Sequence, residues 1–305
     1  MASTTPMRPK VSPPFGTLSN WGINFLDTAD FYGAGHNEEL IRQTIQDVPR
    51  DQVFLSVKFG GVRNHDGQFL GADNRPNSIR NFLSYSLQRL RVDYIDLYFP
   101  ARIDPGVPIE DTMGTLGELI KEGVIRYVGL SEVGPNTLRR AAKECRVAML
   151  QTEYSLWTRE PESDVLPVCR ELGIGLVAYS PLGGGFLTGA IQSPNDFAPD
   201  DFRRHWPRFQ GENFTLNLQL VERVKEMASE KGCTPAQLAL AWLLAQGENI
   251  VPIPGTKRRE RLEENLGALD VEVSRSDLER INELAPMGVA AGTRYPEALM
   301  SMVNC

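Results

Sequence analysis

Seven short apolar runs of β-forming residues recur along the chain, with stretches of helical spacing between them. The runs are "INFLDTAD", "VFLSVKFG", "YIDLYFP", "IRYVGLSEV", "VAMLQTEYSL", "GLVAYSP" and "IVPIPGT"; "NSIRNFLSYSLQRLR" and "IEDTMGTLGELIKEG" are among the intervening helical candidates. Buried strands that alternate with helices are parallel strands joined by crossovers. No Pro- or Ser-rich linker divides the series, so the 305 residues predict one α/β domain, a single (β/α)8 barrel over 1–305. A doubly wound sheet is the competing arrangement. It requires a glycine-rich turn after the first strand, and no GxGxxG stands there.

The first corner of the barrel is atypical. An eighth strand has to come from "PKVSPPFGTL", residues 9–18, where the prolines make a poor central strand, and "SNWGINF" follows without room for a crossover helix. Residues 1–21 therefore read as a truncated or rearranged N-terminal region. Either the barrel is open at this corner, or about two helical turns or more are missing after Leu18. Two excursions rich in turn formers stand out: residues 189–214, expected to be a substrate loop over the barrel mouth, and the tail 287–305.

Composition excludes several classes of function. A net charge of -7 with dispersed basic residues leaves no footprint for nucleic acid, and no apolar run approaches the ~20 residues of a membrane helix. Cys145, Cys169, Cys233 and Cys305 form no CxxC, and His36, His65 and His205 lack ligand spacing, so no metal site is expected. The N-terminus "MASTTPMRPKVSPPFG" has no apolar segment of signal-peptide length, and its prolines oppose an amphipathic transit helix, which makes a cytoplasmic location the expectation.

Chemistry concentrates at the strand ends, where a parallel barrel carries its active site. Asp27, Lys58 and Arg102 each end or closely follow a strand run, and Tyr32 lies in the loop after the first. A lysine inside a barrel needs an opposite charge, and Asp27 on the neighbouring strand is the obvious partner. Two readings stay open for that pair. One is a structural ion pair; the other adds Tyr32, whose phenol loses its proton more easily beside an ammonium and so becomes a general acid.

"GINFLDTADFYG", "VFLSVKFG", "DYIDLYFPARIDPGVPIEDTMGTLGELIKEGVIRYVGLSEV", "QTEYSLWTRE", "AYSPLGGGFLTG" and "IVPIPGTKRRERLEENLGAL" together resemble the aldo-keto reductases, in order from residue 22 to about 285. In texture they resemble the microbial and plant branch with perakine reductase-like and, more distantly, pyridoxal reductase-like enzymes. The resemblance implies a (β/α)8 barrel in which NADPH passes a hydride to a carbonyl and Tyr32 supplies the proton, tuned by Lys58 and oriented by Asp27. The histidine that most relatives carry to orient the carbonyl is here Ala101. Its loss removes a donor of the kind worth ~3 kcal/mol elsewhere, and Arg102 compensates only if it turns inward.

The same resemblance puts Ser131, Glu132 and Gln151 around the nicotinamide carboxamide. A glutamate at position 132 can accept hydrogen bonds but not donate them. Tyr179 is expected to stack on the ring, the alternative being a plain core aromatic. "SPLGGG", with Ser180, Leu182 and Gly183, is expected at the pyrophosphate. "GTKRRERLEEN" looks like the clamp for the adenosine 2'-phosphate, with Gly255, Thr256, Lys257 and Arg261 on the phosphate and Glu264 and Asn265 near the adenine; its charge favours NADP(H). Phe31, Arg102, Trp157 and Trp206 are candidate substrate contacts, with core or loop packing the alternative for the aromatics. The expected function is reduction of a small-molecule aldehyde or ketone. A nucleotide-binding subunit with weak or no turnover is the alternative that Ala101 and the short N-terminal corner motivate.

Overall fold

A strand such as "FLSVKF" is apolar at nearly every position and is buried at five of its six residues, which suits a parallel strand covered on both faces. The computed structural model describes residues 22–303, so the expected eighth strand in residues 9–18 and the shortened first crossover lie outside the described residues. In chain order the elements are β1 (Phe25–Ala29), α1 (His36–Ile45), β2 (Phe54–Phe59), the hairpin strands β3 (Gly61–Arg63) and β4 (Phe69–Ala72), and α2 (Pro76–Leu90). Then come β5 (Ile95–Pro100), α3 (Ile109–Lys121), β6 (Ile125–Ser131), α4 (Pro135–Glu144), β7 (Val147–Glu153), α5 (Val165–Leu172) and β8 (Gly175–Tyr179). The chain continues with α6 (Gly211–Glu230), α7 (Pro235–Leu244), β9 (Ile250–Pro252), α8 (Arg259–Leu266), α9 (Arg275–Leu284) and α10 (Glu297–Met300).

All seven strand runs of the sequence are present and form one parallel sheet in the order β1-β2-β5-β6-β7-β8-β9. This curled sheet is the α/β arrangement expected of a (β/α)8 barrel. β1 and β9 are its edges among the described residues, and a cavity lies between them. Helix α2 shows why the crossovers pack: Pro76 opens it, Arg91 closes it in the left-handed conformation, and Ile79, Leu83, Ser86 and Leu90 form one buried stripe. A first core, including Val57, Phe59, Tyr98 and Met113, lies between the sheet and the first crossovers; a second gathers Trp157, Phe186, Phe209 and Trp242 towards the C-terminal half.

Two expectations change. The antiparallel β3–β4 hairpin was not legible, and the expected loop 189–214 ends early, because α6 starts at Gly211. The part before it is organised by short 3-10 turns at Pro194–Asp196, Phe202–His205 and Pro207–Phe209.

Candidate active site

Register brings the acid and the base together. Asp27 on β1 pairs with Ser56 on β2, and Lys58, two residues on, points to the same side as Ser56. The Ser56 hydroxyl and Gln151 Nε2 both donate to Asp27 Oδ1, at 2.8 and 2.9 Å, while Lys58 Nζ forms an ion pair with Asp27 Oδ2. Lys58 is only 5 % exposed. Burial alone pulls its pKa down, but Asp27 and then Tyr32 outweigh it and hold the ammonium above its ordinary 10.5. Its Nζ lies 5.0 Å from the centre of the Tyr32 ring. Tyr32 itself is 41 % exposed and faces open space.

Two cavities meet at this trio. The larger, about 1310 Å³, runs from Asp27 and Tyr32 past Tyr179 and Ser180 to Gly255, Thr256, Lys257 and Asn265. The smaller, about 300 Å³, holds Asp27, Tyr32, Lys58, Gln151 and Tyr179 together with Phe31, Ala101 and Arg102. Asp27, Tyr32 and Tyr179 line both, so the phenol of Tyr32 stands at the junction.

Arg102 turns inward. Its Nη1 donates to the Ala101 carbonyl at 2.6 Å and to Ser131 Oγ at 3.4 Å, and the guanidinium lines the smaller cavity. Burial works against its charge, but Tyr179, Tyr295 and Glu132 more than offset it. Ser131 closes β6 in register with Gln151 on β7, and both are buried. Glu132, with φ of 52°, has its carboxylate engaged: Oε1 accepts from Thr152 Oγ1 at 3.0 Å and the Glu153 amide at 2.9 Å, and Arg294 forms an ion pair with both oxygens. Tyr179 hydrogen-bonds hydroxyl to hydroxyl with Tyr295 at 2.7 Å. Burial, reinforced by nearby carboxylates, keeps both phenols protonated, that of Tyr295 pushed up to about 12.

Other candidates are placed differently. Trp157, expected at the substrate wall, is 3 % exposed and packs in the second core against Phe186 and Phe209. It lines neither cavity, because it lies directly against Gly183, where a Cβ would come within 2.5 Å of the indole. Gly183 thus makes room for Trp157, and Leu182 packs on the same core. Trp206 also lines neither cavity but meets the Tyr295 ring edge-on at 5.7 Å. Arg261 is exposed and outside the large cavity; Arg258 and Arg259 line it instead. α8 starts at Arg259, so residues 256–259 surround its N-terminus, whereas Arg261 lies within its first turn. Glu264 also lies outside, its carbonyl accepting from Gln237 Nε2.

The sequence singled out the tail as an excursion but not the residues it brings to the site. Tyr295, Leu299 and Met302 wall the smaller cavity, and Phe69 and Arg63 reach it from the hairpin. The only signal was an aromatic residue set among the turn formers of "GTRYPEALM". No group of metal-binding side chains occurs among the described residues, and no described helix is long and apolar enough to cross a membrane.

Asp27 and the buried Lys58 near the C-terminal ends of parallel strands, with Tyr32 in the loop beside them, form a group able to hold and donate a proton at the mouth of an α/β sheet. The sequence matches the aldo/keto reductase family over residues 17–286, and the chain belongs to that family. It is 47% identical over 286 residues to the "Aldo-keto reductase yakc [NADP(+)]" of Schizosaccharomyces pombe, covering 92% of this chain and 84% of that one. It is 45% identical over 278 residues to the "Probable aldo-keto reductase 1" of Glycine max, covering 91% and 80%. Among solved structures it resembles the glycerol dehydrogenase AKR11B4 from Gluconobacter oxydans, with a TM-score of 0.82, 27% identity and coverage of 88% and 83%. A thermostable aldo-keto reductase, Tm1743, solved with the inhibitor epalrestat, matches with a TM-score of 0.69, 30% identity and coverage of 88% and 85%.

Proposed function

We propose that this enzyme reduces an aldehyde or ketone to the alcohol with NADPH, the large cavity taking the dinucleotide and the small one the carbonyl compound. The observation that carries the reading is the junction: the same four residues, Asp27, Tyr32, Tyr179 and Ile253, line both spaces. The large cavity suits the cofactor in size and chemistry, since its far end is lined by the exposed cations Lys257 and Arg258 and by the N-terminal turn of α8, where anions are favoured. The yeast relative's name carries the same cofactor.

When bound, NADPH supplies the hydride that reaches the carbonyl carbon. Tyr32 gives its hydroxyl proton to the carbonyl oxygen as that oxygen gains charge, and solvent returns the proton to the exposed phenol. Lys58 stabilises the phenolate left behind, and Asp27, fixed by Ser56 and Gln151, holds the ammonium in place. Arg102, whose guanidinium lines the smaller cavity, offers the donor that Ala101 lacks. Phe31, Phe69, Tyr295, Leu299 and Met302 make a mostly apolar wall that suits an aromatic or apolar substrate and excludes water.

The test is NADPH oxidation against a panel of aromatic aldehydes and ketones, with Tyr32→Phe alongside and NADPH binding followed by fluorescence. The variant is expected to bind NADPH as the wild type does and to lose turnover by about 10²–10⁴-fold. Equal turnover in both proteins refutes Tyr32 as the donor; binding without turnover in the wild type points to the binding-subunit reading.

A further inference from the structure

We propose that the carbonyl compound is a 2-oxo acid with an aromatic or apolar side chain, its carboxylate held by the Arg102 guanidinium and drawn in by Arg63. This rests on the reading of the smaller cavity as the carbonyl site. The chain as a whole carries a net charge of -7, yet the wall of this cavity is positive. Its charged side chains among the described residues are Asp27, Lys58, Arg63 and Arg102. Asp27 and Lys58 neutralise each other as an ion pair, and burial holds the phenols of Tyr179 and Tyr295 protonated. The guanidinium groups of Arg63 and Arg102 are left without a counter-charge on that wall.

Arg102 is the more buried of the two. Other buried cations are matched: Lys58 by Asp27, Arg159 by Glu162, Arg208 by Glu153, and the largely buried Arg294 by Glu132. Arg102 has no carboxylate within ion-pair distance among the described residues, and Glu132, whose charge reaches it, is taken by Arg294. Its hydrogen bonds to the Ala101 carbonyl and to Ser131 Oγ both leave from Nη1. The Tyr179 hydroxyl beside it is neutral. N–H groups on Nε and Nη2 thus remain for a ligand. A partly buried cation without an anion is costly, and a ligand carboxylate removes that cost.

The position of the carboxylate follows from the other task of Arg102. In the reading above it serves the carbonyl oxygen in place of the donor missing at Ala101. A planar guanidinium fork reaches a carboxylate oxygen at the same time when the two oxygens sit on adjacent carbons, as they do in a 2-oxo acid. In the reduction, C2 of the acid accepts the hydride of NADPH and its oxygen takes the Tyr32 proton. The products are a 2-hydroxy acid and NADP+, with the carboxylate unchanged. The side chain of the acid lies against Phe31, Phe69 and Tyr295. Arg63 is exposed: its Nη1 donates to the Gly67 carbonyl at 2.6 Å, and its guanidinium carbon lies 5.5 Å from the centre of the Phe31 ring. A cation so placed attracts an arriving anion more than it holds a bound one.

Benzoylformate and its methyl ester differ at the carboxylate alone, so kcat/KM for each with NADPH gives an acid/ester ratio. The ester carbonyl is intrinsically the more electrophilic, and a preference for the acid therefore comes from recognition. Wild type is expected to prefer the acid by about tenfold or more. Arg102→Met is expected to bring the ratio to about one or below. Arg63→Met, on the exposed hairpin, is expected to lower it by about two- to fivefold through KM, with the difference shrinking at high salt. Binding is read separately by calorimetry: mandelate, the alcohol product, cannot be turned over by NADPH-loaded enzyme and is expected to bind about tenfold more tightly than methyl mandelate. That advantage is expected to vanish in Arg102→Met. An ester that matches the acid in wild type, or a preference for the acid that persists in Arg102→Met, would overturn the proposal. If neither compound is reduced, carbonyl reduction itself fails, and the mandelate titration still decides whether this cavity takes a carboxylate.

Discussion

Arg294→Leu tests whether the tail is held on the site by charge. Glu132 is buried and Arg294 largely so, with side-chain exposures of 0% and 10%, and their contacts are 3.2 Å. At that distance and an effective dielectric near 20 the attraction is about 5 kcal/mol. Most of that offsets the cost of burying two ions, so the pair adds little against an apolar substitute, yet removing one partner strands the other. The Thr152 hydroxyl and Glu153 amide still serve Glu132, which places the loss at the low end, about 3 kcal/mol. Urea unfolding with an unchanged slope measures it, and the melting temperature should fall by roughly 6 °C. Glu132→Gln in the same chain should restore at least half of the loss, because no stranded charge remains. Tyr295, Leu299 and Met302 belong to the same tail, so KM for the carbonyl compound should rise more than kcat falls. An Arg294→Leu protein within about 0.5 kcal/mol of wild type would refute the reasoning.

Lys58→Met should lower kcat about a hundredfold. Because the folded lysine titrates above 10.5, its contribution to stability is present below that pH and lost above it; chemical unfolding should show a steeper alkaline loss in wild type than in Lys58→Met. Gly183→Ala places a methyl group against Trp157 at a φ of +57° and should destabilise by about 1–3 kcal/mol, read by thermal unfolding. Lys257→Glu combined with Arg258→Glu should weaken NADPH binding about tenfold or more in a fluorescence titration, with NADH affected little.

Asp27 and Lys58 were legible because they lie near the C-terminal ends of strand runs, and Tyr32 because it stands in the loop that follows the first. Asp27 and Lys58 are polar intrusions into apolar runs, and parallel pairing with consistent register makes such intrusions meet. Gln151 was legible only through family resemblance, since nothing local in "VAMLQTEYSL" indicates that its amide reaches across to Asp27. At the basic end, Arg258 and Arg261 are equally basic in sequence, and only the start of α8 at Arg259 shows which of them lines the large cavity. The hairpin escaped because "GVR" and "FLGA" are too short to show alternation. Trp157 and Phe31 look alike in sequence as aromatic residues near loops. Gly183 admits the first into the core, while Gly61 lets the second lie across the hairpin at the cavity.

The hydrogen bond from Gln151 to Asp27 spans 124 positions of the chain, and the Arg294–Glu132 contact spans 162. On a ribosome adding about 5–20 residues per second, Asp27 waits roughly 6–25 s before Gln151 has even been made. A nascent chain that already holds Asp27, Tyr32 and Lys58 thus has its reactive groups without their final geometry. Tyr295, Leu299 and Met302, which wall the smaller cavity, are made later again than Gln151, so the site exists open before that wall arrives.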